Sequence, residues 1–141
     1  MDPRYFSDEQ LDSSQRNVAS FRELPAAHGT PDDVQMVERA IDVACEYLDA
    51  PAPAYRFVYA PGRSQGQAEQ LPDGSCLITL NLAELRTLRA LAETTCHEAQ
   101  HCADMRAGLF TRLSAAERER RAVDFAGRVM DERGRELEVL L

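Results

Sequence analysis

The stretch Thr94-Thr95-Cys96-His97-Glu98-Ala99-Gln100-His101-Cys102 decides how the rest of the sequence is interpreted. It lies within a longer run, from Asn81 to about Arg106, in which apolar residues recur at the spacing of an α-helix. Two of the three histidines of the chain fall in this stretch, four positions apart. Residues four apart lie one turn apart on the same helix face, so both imidazoles are predicted to point in one direction.

Two imidazoles on one helix face can bind the same metal ion, and Zn²⁺ suits such ligands. Glu98 follows the first histidine and points roughly 100° further round the helix. Its carboxylate is therefore expected beside the metal-bound water, as a general base, rather than on the metal. The sequence predicts Zn²⁺ as the cofactor, His97 and His101 as ligands and Glu98 as the catalytic base. The alternative is a helix that merely exposes these polar side chains to solvent.

A tetrahedral catalytic zinc needs a third protein ligand, and its fourth position holds water. Glu119 is the main candidate, because it lies on one helix face with apolar neighbours (Ala122, Val123, Ala126 and Met130). A carboxylate on such a face is costly unless it has a charge partner, which could be a zinc ion or a buried arginine. Glu117 has the spacing of a capping box with Ser114, which gives it a structural role instead.

Asp104 is the second candidate, since it follows His101 by three residues on the same helix. Its short side chain would have to bend back along the helix axis to reach the ion. It could instead accept a hydrogen bond from the other ring nitrogen of a ligand histidine, or be a surface acid.

The flanking sequence predicts a small α+β fold with the element order α-β-β-α-α. Thr30-Pro31-Asp32-Asp33 is a helix start, and this helix should end near Asp49, before Pro51. Residues 55–59 and 75–80 read as strands, and their closeness in the chain favours a long-looped hairpin in a small, mostly antiparallel sheet. Asn81 and Glu84 have capping-box spacing and predict the start of the metal-site helix, and Gly108 predicts its end.

Two parts of the chain are distinguished by composition. Residues 1–29 are a polar segment that forms either a short docked helix or a loose arm, and residues 30–141 form one domain. The chain has 141 residues and a net charge of −8, which argues against a nucleic acid or an anionic membrane as a partner. It starts with no apolar signal region, so a cytoplasmic location is expected, with all four cysteines reduced.

The stretch Thr94–His101, followed by Glu119-Arg-Arg-Ala122-Val-Asp-Phe125-Ala126, resembles the compact zincin metallopeptidases of the ImmA/IrrE type. The resemblance covers roughly residues 31–130, and its specific part is the His-Glu-x-x-His pentapeptide. It implies a minimal zincin-like domain, in which a small sheet packs with the His-Glu-x-x-His helix and with a third-ligand helix. His97, His101 and Glu119 would be the zinc ligands and Glu98 the base. Arg121 and Val123 depart from the acidic and polar residues that such proteins often carry there.

The resemblance also implies that the strand before the catalytic helix, Cys76 to Leu80, is an edge strand that pairs with an extended protein or peptide substrate, such as a regulatory protein. Tyr55, Tyr59, His28 and several arginines are candidates for stabilising the oxyanion. The expected function is zinc-dependent hydrolysis of a peptide bond. The alternatives are a non-catalytic zinc-binding interaction protein that keeps this fold, and a metal-free helical interaction module. The oligomeric state stays open.

Overall fold

Three α-helices and a three-stranded mixed sheet make up residues 21–139, which are the residues that the computed structural model describes. This confirms the α+β class. The elements are α1 (Pro31–Leu48), β1 (Ala54–Val58), β2 (Gly66–Gln70), β3 (Cys76–Asn81), α2 (Leu88–Arg106) and α3 (Ala115–Val139).

Helix α1 begins where its sequence predicts. The Thr30 side chain accepts a hydrogen bond from the Asp33 amide, the Asp33 side chain accepts one from the Thr30 amide, and Pro31 occupies the first turn. These bonds satisfy amides that the helix itself leaves free. The apolar face of α1 is buried against α2.

The prediction of a mostly antiparallel hairpin is wrong, because the sheet has the order β1-β3-β2. Strand β1 pairs with β3 in parallel, with Ala54 opposite Leu77, and β2 pairs with β3 antiparallel, with Gly66 opposite Leu80. Strand β2 lies between the two predicted strands, in the stretch that the sequence predicts to be the long loop of the hairpin. Its residues (Gly66-Gln67-Ala68-Glu69-Gln70) lack the large apolar side chains that mark a strand, so the pairing comes from tertiary contact and not from local pattern.

Residues 21–24 lie against the polar face of the sheet. Phe21 is fully buried, its amide donates to the Gln67 side chain, and Arg56 donates to the carbonyls of Phe21, Arg22 and Leu24. Phe21–Glu23 forms one turn of 3-10 helix. The docked helix or loose arm predicted for residues 1–29 falls largely on residues 1–20, which lie outside the described residues.

Helix α2 begins at Leu88 with Thr87 as its N-cap, and not at Asn81 as predicted. Asn81 instead ends β3, and its side chain bonds to the amide and the carbonyl of Ala60 at 2.9 and 2.8 Å. Glu84 accepts from the amide of Gly62. The two capping-box residues are therefore used to hold the loop after β1. The predicted end is confirmed, since α2 stops at Arg106 and Gly108 follows with φ 73°.

Helix α3 confirms the second predicted capping box. The Ser114 hydroxyl accepts from the Glu117 amide and the Glu117 carboxylate accepts from the Ser114 amide, both at 3.1 Å. The helix continues through Gly134, and its apolar face packs on α2 in a core that includes Leu91, Phe125 and Val129. Within residues 21–139 no helix combines the length and the apolar character that crossing a membrane requires.

The expectation of four reduced cysteines is wrong, because Cys76 of β3 and Cys102 of α2 form a disulfide, with their Cα atoms 5.9 Å apart. Cys45 and Cys96 are free thiols. The pairing depends on how β3 packs against α2, and the spacing of the cysteines in the sequence does not predict that packing. Disulfides are rare in the cytosol, so this bond does not support the cytoplasmic location expected from the missing apolar signal region, which stays a prediction.

Reducing the disulfide should lower the free energy of unfolding by about 3 kcal/mol, because the crosslink closes a loop of 26 residues in the unfolded chain. The measurement is urea unfolding with and without a reductant. Cys76→Ser should lose the same stability without reductant, whereas Cys45→Ser should not. Four reactive thiols in the denatured, unreduced protein would contradict the assignment.

Candidate metal centre

His97 and His101 lie one turn apart on α2, on the side that faces α3. Their rings make an edge-to-face contact with centroids 4.9 Å apart. Only 19% of the His97 side chain and 12% of the His101 side chain is exposed. Both rings are thus held in a small space at the junction of the two helices, as the helical spacing of the sequence predicts.

Glu119 reaches this space from the first turns of α3. One of its carboxylate oxygens lies 3.0 Å from Nε2 of His97, and the other lies 3.3 Å from Nε2 of His101. The Glu119 side chain is 22% exposed, and the partner of this partly buried carboxylate is the histidine pair, not the arginine that was the alternative. The structure brings together three of the four candidate ligands that the sequence marked, His97, His101 and Glu119.

The spacing of these atoms is close to that of the ligands of a tetrahedral zinc ion, with each histidine facing a different oxygen of Glu119. Zinc binds imidazole nitrogen and carboxylate oxygen at about 2.0–2.2 Å, which places two neighbouring ligand atoms about 3.3–3.5 Å apart. The observed separations of 3.0 and 3.3 Å lie close to that range. Small side-chain movements would open the cluster around an ion. Two imidazoles and one carboxylate are also a donor set that Zn²⁺ prefers over Ca²⁺ or Mg²⁺.

Glu98 lies beside the cluster and is almost fully buried, with 7% of its side chain exposed. One carboxylate oxygen is 3.9 Å from Nε2 of His97, and one atom each of His97, Glu98 and His101 can be chosen so that all lie within 4.8 Å of one another. Burial raises the pKa of Glu98 above its ordinary value, although the two histidines act in the opposite direction. A carboxylate with a raised pKa next to a metal site is suited to accepting a proton.

The histidine–carboxylate contacts shift the pKa values of both partners. Burial alone would raise the pKa of Glu119, but its hydrogen bonds with His101 and His97 outweigh burial and lower the pKa to about 2. Burial lowers the pKa of His97, and the hydrogen bond to Glu119, with the charge of Glu98, more than reverses this. In the metal-free protein the cluster therefore holds an ionised Glu119 and a histidine that protonates readily.

Asp104, the other candidate ligand, is occupied elsewhere. Its two oxygens accept from Nη2 and Nε of Arg121 at 2.9 and 3.0 Å, and Gln100 donates to it at 3.0 Å. Asp104 is 1% exposed and the Arg121 side chain 46% exposed, so this bidentate ion pair links α2 and α3 from a buried carboxylate to a guanidinium at the surface. Arg121, which departs from the resembled pattern, is explained by this pairing.

Phe110 forms a wall of the site next to His101. The two rings meet edge to face, with centroids 5.8 Å apart. Arg118 stacks over the Phe110 ring at 4.2 Å and donates to the carbonyls of Phe110 and Leu113. The loop between α2 and α3 is held against the site by these contacts. An aromatic residue in a short loop carries no sequence signal that would have predicted this.

Gly66 of β2 is the second residue that sequence reasoning missed. A Cβ atom placed on it would lie 3.0 Å from Cγ2 of Thr94, 3.3 Å from Cγ of Glu98 and 3.3 Å from the carbonyl oxygen of Thr79. The backbone of β2 thus approaches the candidate base closely, and glycine permits the approach.

The candidates for stabilising an oxyanion, Tyr55, Tyr59 and His28, have no polar or ring contact with this cluster among the described residues. Tyr55 donates its hydroxyl to Glu38, and Tyr59 and His28 are exposed. None of the three is placed by a contact with the histidine pair among the described residues, so the residue that would stabilise an oxyanion stays unassigned.

Comparison with known proteins adds no relative: no family model, no curated protein and no solved structure matches the chain. The interpretation of the site therefore depends on its geometry and its chemistry.

In the metal-free protein, His97 should titrate above its ordinary pKa of 6.5, and Glu119→Gln should lower that pKa by removing a charged acceptor. Histidine ring resonances followed by NMR across the pH range measure this, with Glu117→Gln as the control on the same helix. Because both pKa values are shifted in the folded protein, the stabilisation from the His97–Glu119 contact depends on pH. The contact contributes fully between pH 4.5 and 6.5, and less as pH falls toward 2 or rises past the His97 pKa. An unchanged His97 titration in Glu119→Gln would contradict the geometry.

Proposed function

We propose that the chain is a zinc-dependent metallopeptidase that hydrolyses a peptide bond in a protein or peptide partner. The observation that carries the proposal is the meeting of the Glu119 carboxylate with Nε2 of both His97 and His101, at 3.0 and 3.3 Å. The cluster forms between two helices and beside the buried Glu98, which gives the site a base as well as ligands.

His97, His101 and Glu119 would hold the zinc ion. When bound, zinc polarises a substrate carbonyl and acidifies a water molecule. The low pKa of Glu119 keeps this carboxylate ionised, as a ligand must be, throughout the neutral pH range. Phe110 would line one side of the site beside His101, with Arg118 stacked on its ring.

Glu98 would act as the general base. Its Oε1 lies near the histidine pair but 3.9 Å from Nε2 of His97, which is too far for a hydrogen bond. Because burial raises its pKa, this carboxylate holds a proton more readily than an exposed glutamate does. It would take a proton from the attacking water and pass it to the amine that leaves when the peptide bond breaks.

The substrate strand is proposed to be β2 and not β3. The strand from Cys76 to Leu80 was expected at the sheet edge, but it lies in the centre with a neighbour on each side. Strand β2 is at the edge of the described sheet, and its Gly66 approaches Glu98. An extended peptide that paired with β2 would therefore pass next to the base, with main-chain hydrogen bonds supplying affinity.

The alternative is a zinc-binding interaction protein without catalysis. The ligand cluster is compatible with both functions. The burial of Glu98 favours the enzyme, because burying a carboxylate that binds no metal is costly and a purely structural zinc site has no need of it. The location of the protein and the identity of its partner stay predictions, as does the absence of nucleic-acid and membrane partners.

Glu98→Gln should abolish hydrolysis while zinc stays bound, because the proposed base is not a ligand. The loss in kcat should be about a hundredfold or more. The measurement is cleavage of a diverse peptide library by zinc-loaded protein, with zinc content determined on the same samples.

The control is Glu117→Gln, an exposed glutamate at the start of α3 that has no contact with the histidine pair among the described residues, which should cleave as the wild type does. Loss of zinc together with activity in Glu98→Gln would assign Glu98 to the metal and contradict the division of roles. A wild type that binds zinc and cleaves no peptide in the library would favour the interaction protein.

Gly66→Ala should lower kcat/KM by about tenfold or more with zinc retained, because the added methyl group pushes on Thr94 and on the base. Gly127→Ala is the matched control, since its methyl group would meet nothing within 4 Å and alanine favours a helix. Steady-state kinetics and zinc titration of both variants measure the effect. Full activity in Gly66→Ala would mean that β2 does not border the reacting groups.

A further inference from the structure

His101 lacks the hydrogen bond that normally fixes a metal-binding histidine. Such a histidine usually donates its second ring nitrogen to a carboxylate, a carbonyl or a water, which sets the orientation of the ring. Nδ1 of His101 is buried and has no hydrogen-bond partner among the described residues. The nearest acid along the helix, Asp104, bonds to Arg121 and Gln100 instead. Among the described residues, the contacts that align His101 with Glu119 are therefore those that hold α2 and α3 together.

The Asp104–Arg121 ion pair lies next to the cluster on both helices. Asp104 is one turn beyond His101 on α2, and Arg121 is two residues beyond Glu119 on α3. The guanidinium donates two parallel hydrogen bonds, from Nη2 and Nε, to the two carboxylate oxygens. Such a bidentate contact fixes direction as well as distance, which a single ammonium group does not.

The surroundings of Asp104 make the contact restrictive. Its side chain is 2% exposed, and the amide of Gln100 donates to the same oxygen as Nη2 of Arg121. Gln100 immediately precedes His101, and Arg121 follows Glu119 by two residues. Both donate to Asp104, so the network lies close to a proposed ligand on each helix. The side chain of Arg121 is 46% exposed, so the carboxylate is the buried partner, and it depends on Arg121 and Gln100 for its hydrogen bonds.

We propose that Asp104 and Arg121 are positioning residues that set the register of α3 on α2, so that Glu119 meets His97 and His101 at ligand spacing. This inference depends on the proposed zinc site. Neither residue touches the ion or the substrate. The ion pair would orient the ligands by fixing one helix against the other, whereas a hydrogen bond to Nδ1 would orient the His101 ring directly.

A second ion pair between the same helices supplies a matched control. Arg89 of α2 and Glu138 of α3 are 3.2 Å apart at the far end of the helix pair, and both side chains are about half exposed. If any contact between α2 and α3 sufficed, removing this pair should matter as much. Because the carboxylate of this pair is exposed, unlike that of Asp104, and lies far from the ligands, Arg89→Gln should leave the site unchanged.

The experiment compares zinc affinity with metal-free stability in wild type, Arg121→Lys, Arg89→Gln and Val129→Ala. Arg121→Lys keeps the charge but loses the two parallel bonds. Val129 is fully buried on α3, so Val129→Ala lowers stability without touching the ion pair or the ligands. Zinc dissociation constants come from competition with a chromophoric chelator, and stability comes from urea unfolding in EDTA. The visible spectrum of the Co²⁺-loaded protein reports ligand geometry.

We expect Arg121→Lys to weaken zinc binding by about tenfold to a hundredfold and to shift the Co²⁺ bands. Arg89→Gln and Val129→Ala should bind zinc as the wild type does. If Arg121→Lys does not fold, the pair Asp104→Asn with Arg121→Gln, which removes both charges together, should show the same loss of zinc affinity.

The outcomes separate the two proposals. A wild type that binds neither Zn²⁺ nor Co²⁺ overturns the proposed function. A wild type that binds zinc while Arg121→Lys matches it in affinity and Co²⁺ spectrum overturns the positioning role alone. An equal loss of affinity in Val129→Ala also overturns it, since the effect would then follow stability and not alignment.

Discussion

A carboxylate on the apolar face of a helix has to find hydrogen-bond donors or cations in the helix that packs against it, because burial without them costs several kcal/mol. Glu119 is in this position on α3, and the groups that meet it are the two imidazoles of α2. The same contact draws the first turns of α3 onto the middle of α2. The docking of the two helices and the formation of the cluster are thus one structural event, and a change in either alters the other.

The sheet determines where α2 lies. Strand β3 is central and is tied to α2 through the Cys76–Cys102 disulfide, whose second cysteine directly follows His101. Strand β2, which pairs with β3, brings Gly66 against Glu98, one turn before Cys102 on the same helix face. The metal-site helix is therefore fixed by β3, β2 and α3 together. This arrangement holds the two candidate histidine ligands and the proposed base on one helix, which a site with a defined geometry requires.

Local signals in the sequence were sufficient where one helix turn decides the outcome. The caps at Thr30 and Ser114, the end of α2 near Gly108 and the common face of His97 and His101 follow from residues a few positions apart. Glu119 could also be singled out, because a carboxylate among apolar residues needs a partner whatever the fold. The sequence thus predicts that Glu119 has a charge partner, and the structure identifies that partner as His97 and His101.

The features that the sequence could not predict all depend on contacts between distant segments. Strand β2 has a polar sequence without alternation, so its pairing with β3 has no local sign. Asn81 has the spacing of a helix cap, yet its side chain bonds to Ala60 because β1 and β3 end side by side. The disulfide and the Asp104–Arg121 pair likewise depend on the tertiary arrangement, since no sequence motif predicts which residues would pair.

The metal content of the purified protein tests the central claim most directly. Elemental analysis should be made after zinc loading and extensive dialysis, on the wild type and on Glu119→Gln together, with Glu117→Gln as the control for a neighbouring acid. The account predicts about one zinc per chain in the wild type and in Glu117→Gln, and a large loss in Glu119→Gln. A wild type that retains no zinc, or a Glu119→Gln protein that retains as much as the wild type, would contradict it.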